Sequence, residues 1–310
     1  MHTIIVPLDG SQLAEQALPA ARMFAALLGA RLHLLRVVTD DMAEPVESEQ
    51  AMLSQYADPL TTTHTRGHTA LERAHRHADD YLQYEAHCLE QAGFPTKYGV
   101  CGGDPAQLIA DFAASEHASL IAMTTHGYSG LQRFTLGSVA SKVVQASRVP
   151  VLLLRGSGHW RVLAHTPRRI IVPLDGSEHA RAALPFALDI ARLAGAELVL
   201  FQAIAPLAAD SPGLLPILTE EDYRCEQTAL HKLNYERAQF STPDVVTSSL
   251  VTFGEPAPQI AQVATWQQAD LIVMATHGRS GVARWALGSV ADAVLHTSEV
   301  PLVLIRPQMK

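Results

Sequence analysis

The stretch IIVPLDGS occurs twice in this sequence, at residues 4–11 and again at residues 170–177. Eight identical residues in a row, 166 positions apart, indicate an internal duplication. Further along the chain the match continues at an offset of 151, where Gly137-Ser-Val-Ala corresponds to Gly288-Ser-Val-Ala. The two halves are therefore copies of one domain, and the first copy carries 15 extra residues between about positions 40 and 100.

The chain of 310 residues has the length of two ordinary domains, which take about 100–200 residues each. A period this long indicates a tandem duplication, because the units of a solenoid are shorter. We predict a first domain at 1–155, a linker at 156–168 and a second domain at 169–310.

Within each copy, short apolar runs alternate with longer amphipathic stretches. Thr3–Leu8 is rich in β-branched residues and predicts a buried strand, and the helical spacing of Ser11–Leu28 predicts one helix. The polar segment Thr39–Thr69 predicts a loop, and Ala70–Gln91 the next helix. Apolar strands that alternate with helices indicate a parallel sheet covered on both faces. The expected fold class is α/β, with two tandem doubly wound, Rossmann-like domains of five parallel strands in the order 3-2-1-4-5.

Composition and charge exclude several classes of protein. Apolar residues make up 48% and charged residues 17%, which excludes a disordered chain. The net charge of −8 disfavours nucleic acids and anionic membranes as partners. The three cysteines are far apart and predict neither disulfides nor a zinc site. No apolar run approaches the roughly 20 residues of a membrane-spanning helix, and no secretion signal opens the chain, so we expect a cytoplasmic protein.

Two repeated segments follow strands that the expected order makes neighbours, so their loops would face each other across one crevice. The first is the loop at Asp9, and the second is the segment Met123–Ala140 with its copy Met274–Ala291. Its glycines let the backbone approach a ligand closely, and the N-terminus of the following helix favours an anion. This pattern predicts phosphate binding. The alternative is that the Asp-Gly-Ser sequence only caps a helix, and the loop has neither the G-x-G-x-x-G nor the P-loop pattern.

These motifs together resemble the universal stress protein family in its tandem form. The resemblance rests on the IIVPLDGS start, the G-[DE]-P-A turn, the M-x-T-H-G-x-S-G loop, the L-G-S-V-A helix start and the final V-P run ending in Arg. The family's ATP-binding pattern is G-x-x-G-x9-G-[ST], and this chain has Thr124 and Ala275 in place of its first glycine. Ala is the smaller replacement, and Arg279 would place a cation beside the phosphates where the first copy has Tyr128. The second site is therefore expected to bind ATP more readily than the first.

The resemblance implies ATP as the ligand, with or without Mg²⁺, with Asp9 and Asp175 holding adenosine and Val37 and Ala203 lining the adenine pocket. The candidate nucleotide-binding residues of the first domain are Pro7, Leu8, Asp9, Val37, Met123, Thr124, His126, Gly127, Gly130, Gly137, Ser138 and Val139. Those of the second domain are Pro173, Leu174, Asp175, Ala203, Met274, Ala275, His277, Gly278, Arg279, Gly281, Gly288, Ser289 and Val290. The resemblance also implies pairing of the two domains through strand five within one chain, and a homodimer of two chains.

Three functions follow from these observations: a nucleotide-binding stress sensor or regulator, a slow ATP hydrolase, and a scaffold whose sites have degenerated. The loop has no P-loop lysine and no carboxylate of its own, so we expect slow or absent turnover and assign no catalytic residue. His126 and His277 are candidate bases, with fixing of the loop by hydrogen bonds as the alternative. The histidines between residues 64 and 87 are interpreted as solvated, and no metal site is predicted.

Overall fold

The computed structural model describes residues 2–39, 59–125, 137–155, 165–206, 218–240, 242–278 and 287–307, and the side chains of 59–69 are not described. The elements of the first domain are β1 (Thr3–Pro7), α1 (Gln12–Glu15), α2 (Ala17–Leu28), β2 (Arg31–Val38), α3 (Pro59–Gln91), β3 (Thr96–Gly102), α4 (Pro105–Ser115), β4 (Leu120–Thr124), α5 (Ser138–Ala146) and β5 (Val151–Leu154). Those of the second are β6 (Arg169–Pro173), α6 (Glu178–Arg181), α7 (Leu184–Ala194), β7 (Glu197–Ile204), α8 (Glu220–Phe240), β8 (Thr247–Phe253), α9 (Pro256–Trp266), β9 (Leu271–Ala275), α10 (Ser289–Thr297) and β10 (Leu302–Ile305).

The strands form one ten-stranded sheet in the order β3-β2-β1-β4-β5-β10-β9-β6-β7-β8. The strands within each domain run parallel, and β5 and β10 meet antiparallel with Leu153 opposite Leu302 and Leu152 opposite Val303. The α/β class with a mostly parallel sheet is as predicted. β1 lies beside β4, and β6 beside β9, so the loops that carry the candidate residues leave from adjacent strand ends.

Helices cover both faces of the sheet, and each face has its own apolar core. Along β1, Ile4 and Val6 point into the core that α2 and α3 cover, whereas Ile5 points into the core of α4 and α5. Both cores continue into the second domain, and α2 packs against α7. The seam between β5 and β10 is therefore buried from both sides.

Two predictions about helices are wrong. The single helix predicted over Ser11–Leu28 is two helices, α1 and α2, and the second domain repeats the break between α6 and α7. Pro19 and Pro185 explain it, because a proline has no N–H to give to the carbonyl four residues earlier and its ring crowds that carbonyl. The segment Thr39–Thr69 is not a loop throughout, because α3 begins at Pro59. The rest of that segment, 40–58, and linker residues 156–164 lie outside the described residues.

Candidate functional site

A short loop after the first strand of each domain orients an aspartate. Asp9 Oδ1 accepts hydrogen bonds from Ser11 N at 3.0 Å and Ser11 Oγ at 2.6 Å. Ser11 Oγ accepts in turn from Ala14 N at 3.1 Å and so caps α1. The intervening glycine has φ of +83°, in the left-handed region that favours glycine. Serine is thus the helix cap, and aspartate holds the turn that precedes it.

The second domain repeats this arrangement and brings it against the other loop. Asp175 Oδ1 accepts from Ser177 N at 2.9 Å, and Ser177 Oγ accepts from Ala180 N at 3.1 Å. A Cβ added to Gly278, which follows β9, would overlap the carboxylate of Asp175 at Oδ2. The two segments that the sequence predicted to face each other therefore meet here, backbone against carboxylate.

The helices that follow the second segment begin at glycines. Gly137 and Gly288 are the N-caps of α5 and α10, and among the described residues no side chain caps either helix. Gly137 N donates to Thr125 O at 2.8 Å, and Gly288 N donates to Thr276 O at 2.9 Å. A Cβ on Gly288 would lie 2.7 Å from Thr276 O. At residue 288 glycine thus lets the start of α10 approach the backbone that follows β9. The N–H groups of a helix's first turn have no partner inside the helix.

The other described candidates differ in how deeply they lie. Ser138 and Ser289 are exposed in the first turns of α5 and α10. Val139 and Val290 are half-buried against the core of that face, and Val37 and Ala203 lie at the ends of β2 and β7 beside the same core. Leu8, Leu174, Met123, Met274, Thr124 and Ala275 are buried, Pro173 is buried and Pro7 is half-buried. The methionines are core residues beneath the site.

His277 stands at the start of the second loop. Its Nδ1 pairs with Thr276 Oγ1 at 3.0 Å. Its Nε2 is buried and has no hydrogen-bond partner among the described residues. The other predicted loop residues, His126, Gly127, Gly130, Arg279 and Gly281, lie outside the described residues.

Arg36, which no sequence motif marked as a site residue, packs against the first aspartate loop. Its Nη1 lies 2.9 Å from the place that a Cβ of Gly10 would occupy, and its guanidinium stacks 5.4 Å from the ring centre of Tyr81. Tyr81 donates to Glu15 Oε1 at 3.0 Å, and burial and this bond raise the pKa of Tyr81. Gln202 occupies the position of Arg36 in the second domain. The signal was an arginine within a mostly apolar strand that also holds Arg31 and His33.

Two features are absent from the part of the chain that the structure describes. No helix there is long and apolar enough to cross a membrane. Nor does that part of the chain bring together three or more His, Cys, Asp or Glu side chains in a metal-binding group.

The fold defines a tandem doubly wound α/β protein, and in its second domain the two candidate loops meet at Asp175 and Gly278. The sequence profile described as "Universal stress protein family" matches residues 1–155 and 166–306. The chain belongs to this family, as its motifs predicted.

Relatives and solved structures agree with this assignment. A universal stress protein of Mycobacterium tuberculosis is 26% identical over 313 residues, which cover 98% of this chain and 94% of the relative. One from Mycolicibacterium smegmatis is 27% identical over 310 residues, with 99% and 98% covered. The crystal structure of a universal stress protein from Archaeoglobus fulgidus superposes with a TM-score of 0.69 at 21% identity, covering 98% of each chain. At 21% identity, this likeness shows that the two proteins share a fold and nothing more.

Proposed function

We propose that this universal stress protein binds an adenine nucleotide in each domain and acts as a sensor or regulator with slow or no hydrolysis. The ligand is ATP, with or without Mg²⁺. The observation that carries the proposal is the contact of Asp175 with the backbone at Gly278. This contact places a carboxylate, which can accept a hydrogen bond from a ribose hydroxyl, beside a glycine-containing segment. In the sequence that segment leads to the N-terminus of α10.

The residues present fit such a ligand. Gly278 and Gly288 sit where a Cβ would collide with Asp175 Oδ2 and Thr276 O, so neither carries side-chain bulk into the crevice. The first-turn N–H groups of α10 and the exposed Ser289 hydroxyl would donate to phosphate oxygens, as free amides at helix N-termini do for anions. The same groups in the first domain are those of α5 and Ser138. Bound ATP would supply the phosphate groups to which the protein responds. The protein's own groups would only hold the nucleotide in place.

The second site is proposed to bind more tightly than the first. Thr124 and Ala275 end the equivalent strands β4 and β9, at the position of the family pattern's first glycine. Both are buried, and threonine carries two more heavy atoms and a β-branch into the floor of the crevice. Ala275 stays closer to the glycine it replaces.

The test counts nucleotide on protein purified without added nucleotide, then titrates ATP and magnesium by calorimetry. We expect one or two equivalents of ATP per chain. Gly288→Ala should remove the equivalent at the second site, because the added methyl group would lie 2.7 Å from Thr276 O and displace the start of α10. The φ of −61° at Gly288 suits any residue, so backbone strain does not add to this effect. Gly99→Ala is the matched control, since its Cβ would lie 3.8 Å from the nearest neighbour, His33 Nε2. Recovery of ADP would favour the hydrolase, and no binding in the wild type would refute the proposal.

The pairing of β5 with β10 is proposed to join the two domains of one chain in solution, with 1–155 and 169–310 as the domains that it joins. The antiparallel register and the two continuous cores support this proposal. Two such chains would form the homodimer that the family resemblance implies. Light scattering of the purified protein tests that state, and a chain mass of 33.5 kDa would indicate a monomer instead.

A further inference from the structure

One side chain of the second domain reaches the end of a helix in the first. Arg306 directly follows β10, and its Nη1 donates to Gln145 O at 2.6 Å and to Ala146 O at 3.3 Å. These two residues are the last of α5. The half-buried guanidinium therefore caps α5 at its C-terminus, where backbone carbonyls lack partners and a cation is favourable.

Helix α5 has no cation of its own for this purpose. Its last turn holds no basic residue, whereas the last turn of α10 holds His296. Arg148, just beyond α5, is exposed and makes no hydrogen bond within the described ranges. Arg155 occupies the position of Arg306 in the first domain, yet it too makes no hydrogen bond to any described residue. Among the described residues, an arginine of the second domain therefore caps a helix of the first, and the equivalent arginine of the first domain caps none in return.

Arg306 also stands at the edge of the second candidate site. The carbonyl of the preceding residue, Ile305, accepts from Thr276 N at 2.8 Å, and Thr276 O accepts from Gly288 N at 2.9 Å. One run of backbone hydrogen bonds thus leads from the cap of α10 to Arg306. From there the guanidinium contacts α5, whose other end carries Gly137 and Ser138.

We propose that Arg306 is a positioning residue for the first anion site, supplied by the second domain. This inference rests on the proposed function and adds that the first site depends on a residue outside its own domain. With α5 only nine residues long, its C-terminal anchor sets where its N-terminal amides lie. A charge-assisted hydrogen bond is among the stronger ones, so its loss should be measurable.

The experiment compares wild type with Arg306→Gln, Arg306→Lys and Arg155→Gln. Amide hydrogen exchange without nucleotide should be about tenfold faster over 143–147 in Arg306→Gln, a change equivalent to about 1.4 kcal/mol. In calorimetry with ATP, the first site should weaken by about tenfold while the second keeps its affinity. Arg306→Lys should restore most of both properties because an ammonium also donates to carbonyls. Arg155→Gln should match the wild type.

Unchanged exchange in α5 of Arg306→Gln would overturn the proposal, whatever the nucleotide data show. Equal weakening of both sites would also overturn it, since that result indicates general destabilisation. If exchange speeds up but the wild type binds no ATP at either site, the proposed function fails. The role of Arg306 is then reduced to anchoring the helix, and its assignment to an anion site is overturned.

Discussion

We expect His33 to make the first domain sensitive to acid. The side chain lies in β2 at 8% exposure, and its ring meets that of Phe112 edge-on, with centroids 4.7 Å apart. Its Nδ1 is buried and has no hydrogen-bond partner in the part of the chain that the structure describes. The second domain has Val199 at this position. An apolar side chain thus suits the site, and a charged imidazolium does not.

The direction and size of the effect follow from the pKa of His33. Burial lowers that pKa from 6.5, Glu116 opposes the shift, and Lys97 and Arg31 add to it. The unfolded chain therefore binds a proton first as the pH falls through 6.5. Below that pH the free energy of unfolding should decline, with a slope below the limit of about 1.4 kcal/mol per pH unit that one proton sets. The decline should stop once the pH falls below the folded-state pKa, because folded and unfolded chains then carry the same proton.

Urea unfolding at pH 7.5, 6.5 and 5.5 measures this loss. His33→Val should flatten the pH dependence between the last two points, by less than the roughly 1.4 kcal/mol per pH unit that a full proton difference would give. His87→Gln, a change at an exposed histidine, should leave the dependence as in the wild type. Contributions from other titrating groups cancel in the comparison. The reasoning is refuted if wild type and His33→Val lose equal stability on acidification.

Three further predictions concern the cap, the core and the seam. Ser177→Ala should lower the free energy of unfolding by about 1 kcal/mol, because the Ala180 amide loses its acceptor, and urea unfolding measures it. Phe24→Ala should cost about 3–5 kcal/mol in the same assay, since Phe24 is 0% exposed. Leu152→Cys with Val303→Cys should form a disulfide within one chain on oxidation, because the two residues are directly paired. A cross-linked dimer on a non-reducing gel would instead indicate exchange of domains between chains.

Much of the fold could be predicted because the duplication presents each helix and strand twice, in two similar sequences that can be compared. The buried strands appear as apolar runs, and the predicted runs at Thr3–Leu8 and 169–174 end one residue beyond the observed ends of β1 and β6 at Pro7 and Pro173. The break before α2 was missed because helical spacing continues across Gln16, although Pro19 carried the local signal. The early start of α3 was missed because a polar segment shows weak periodicity.

The candidate site residues also differ in whether a local stretch of sequence reveals them. Asp9 and Asp175 were recognised because the loop that carries each of them is one continuous stretch of sequence. The contact of Arg36 with Gly10 joins residues from different strands and depends on a tertiary distance that no local pattern encodes. The bond from Arg306 to α5 is more remote still, since it connects opposite halves of the chain.

The one-sided cap at the seam has a consequence for how such proteins diverge. In a dimer of identical subunits each residue appears twice across the two-fold axis, so any substitution changes both ends of the interface at once. Fusion of the two copies into one chain lifts that constraint. Arg306 and Arg155 can then have different roles. One half can change its own site while the other half keeps the contact that supports it. A fused pair of this kind resembles a heterodimer, because its two halves need not carry the same residues at their interface.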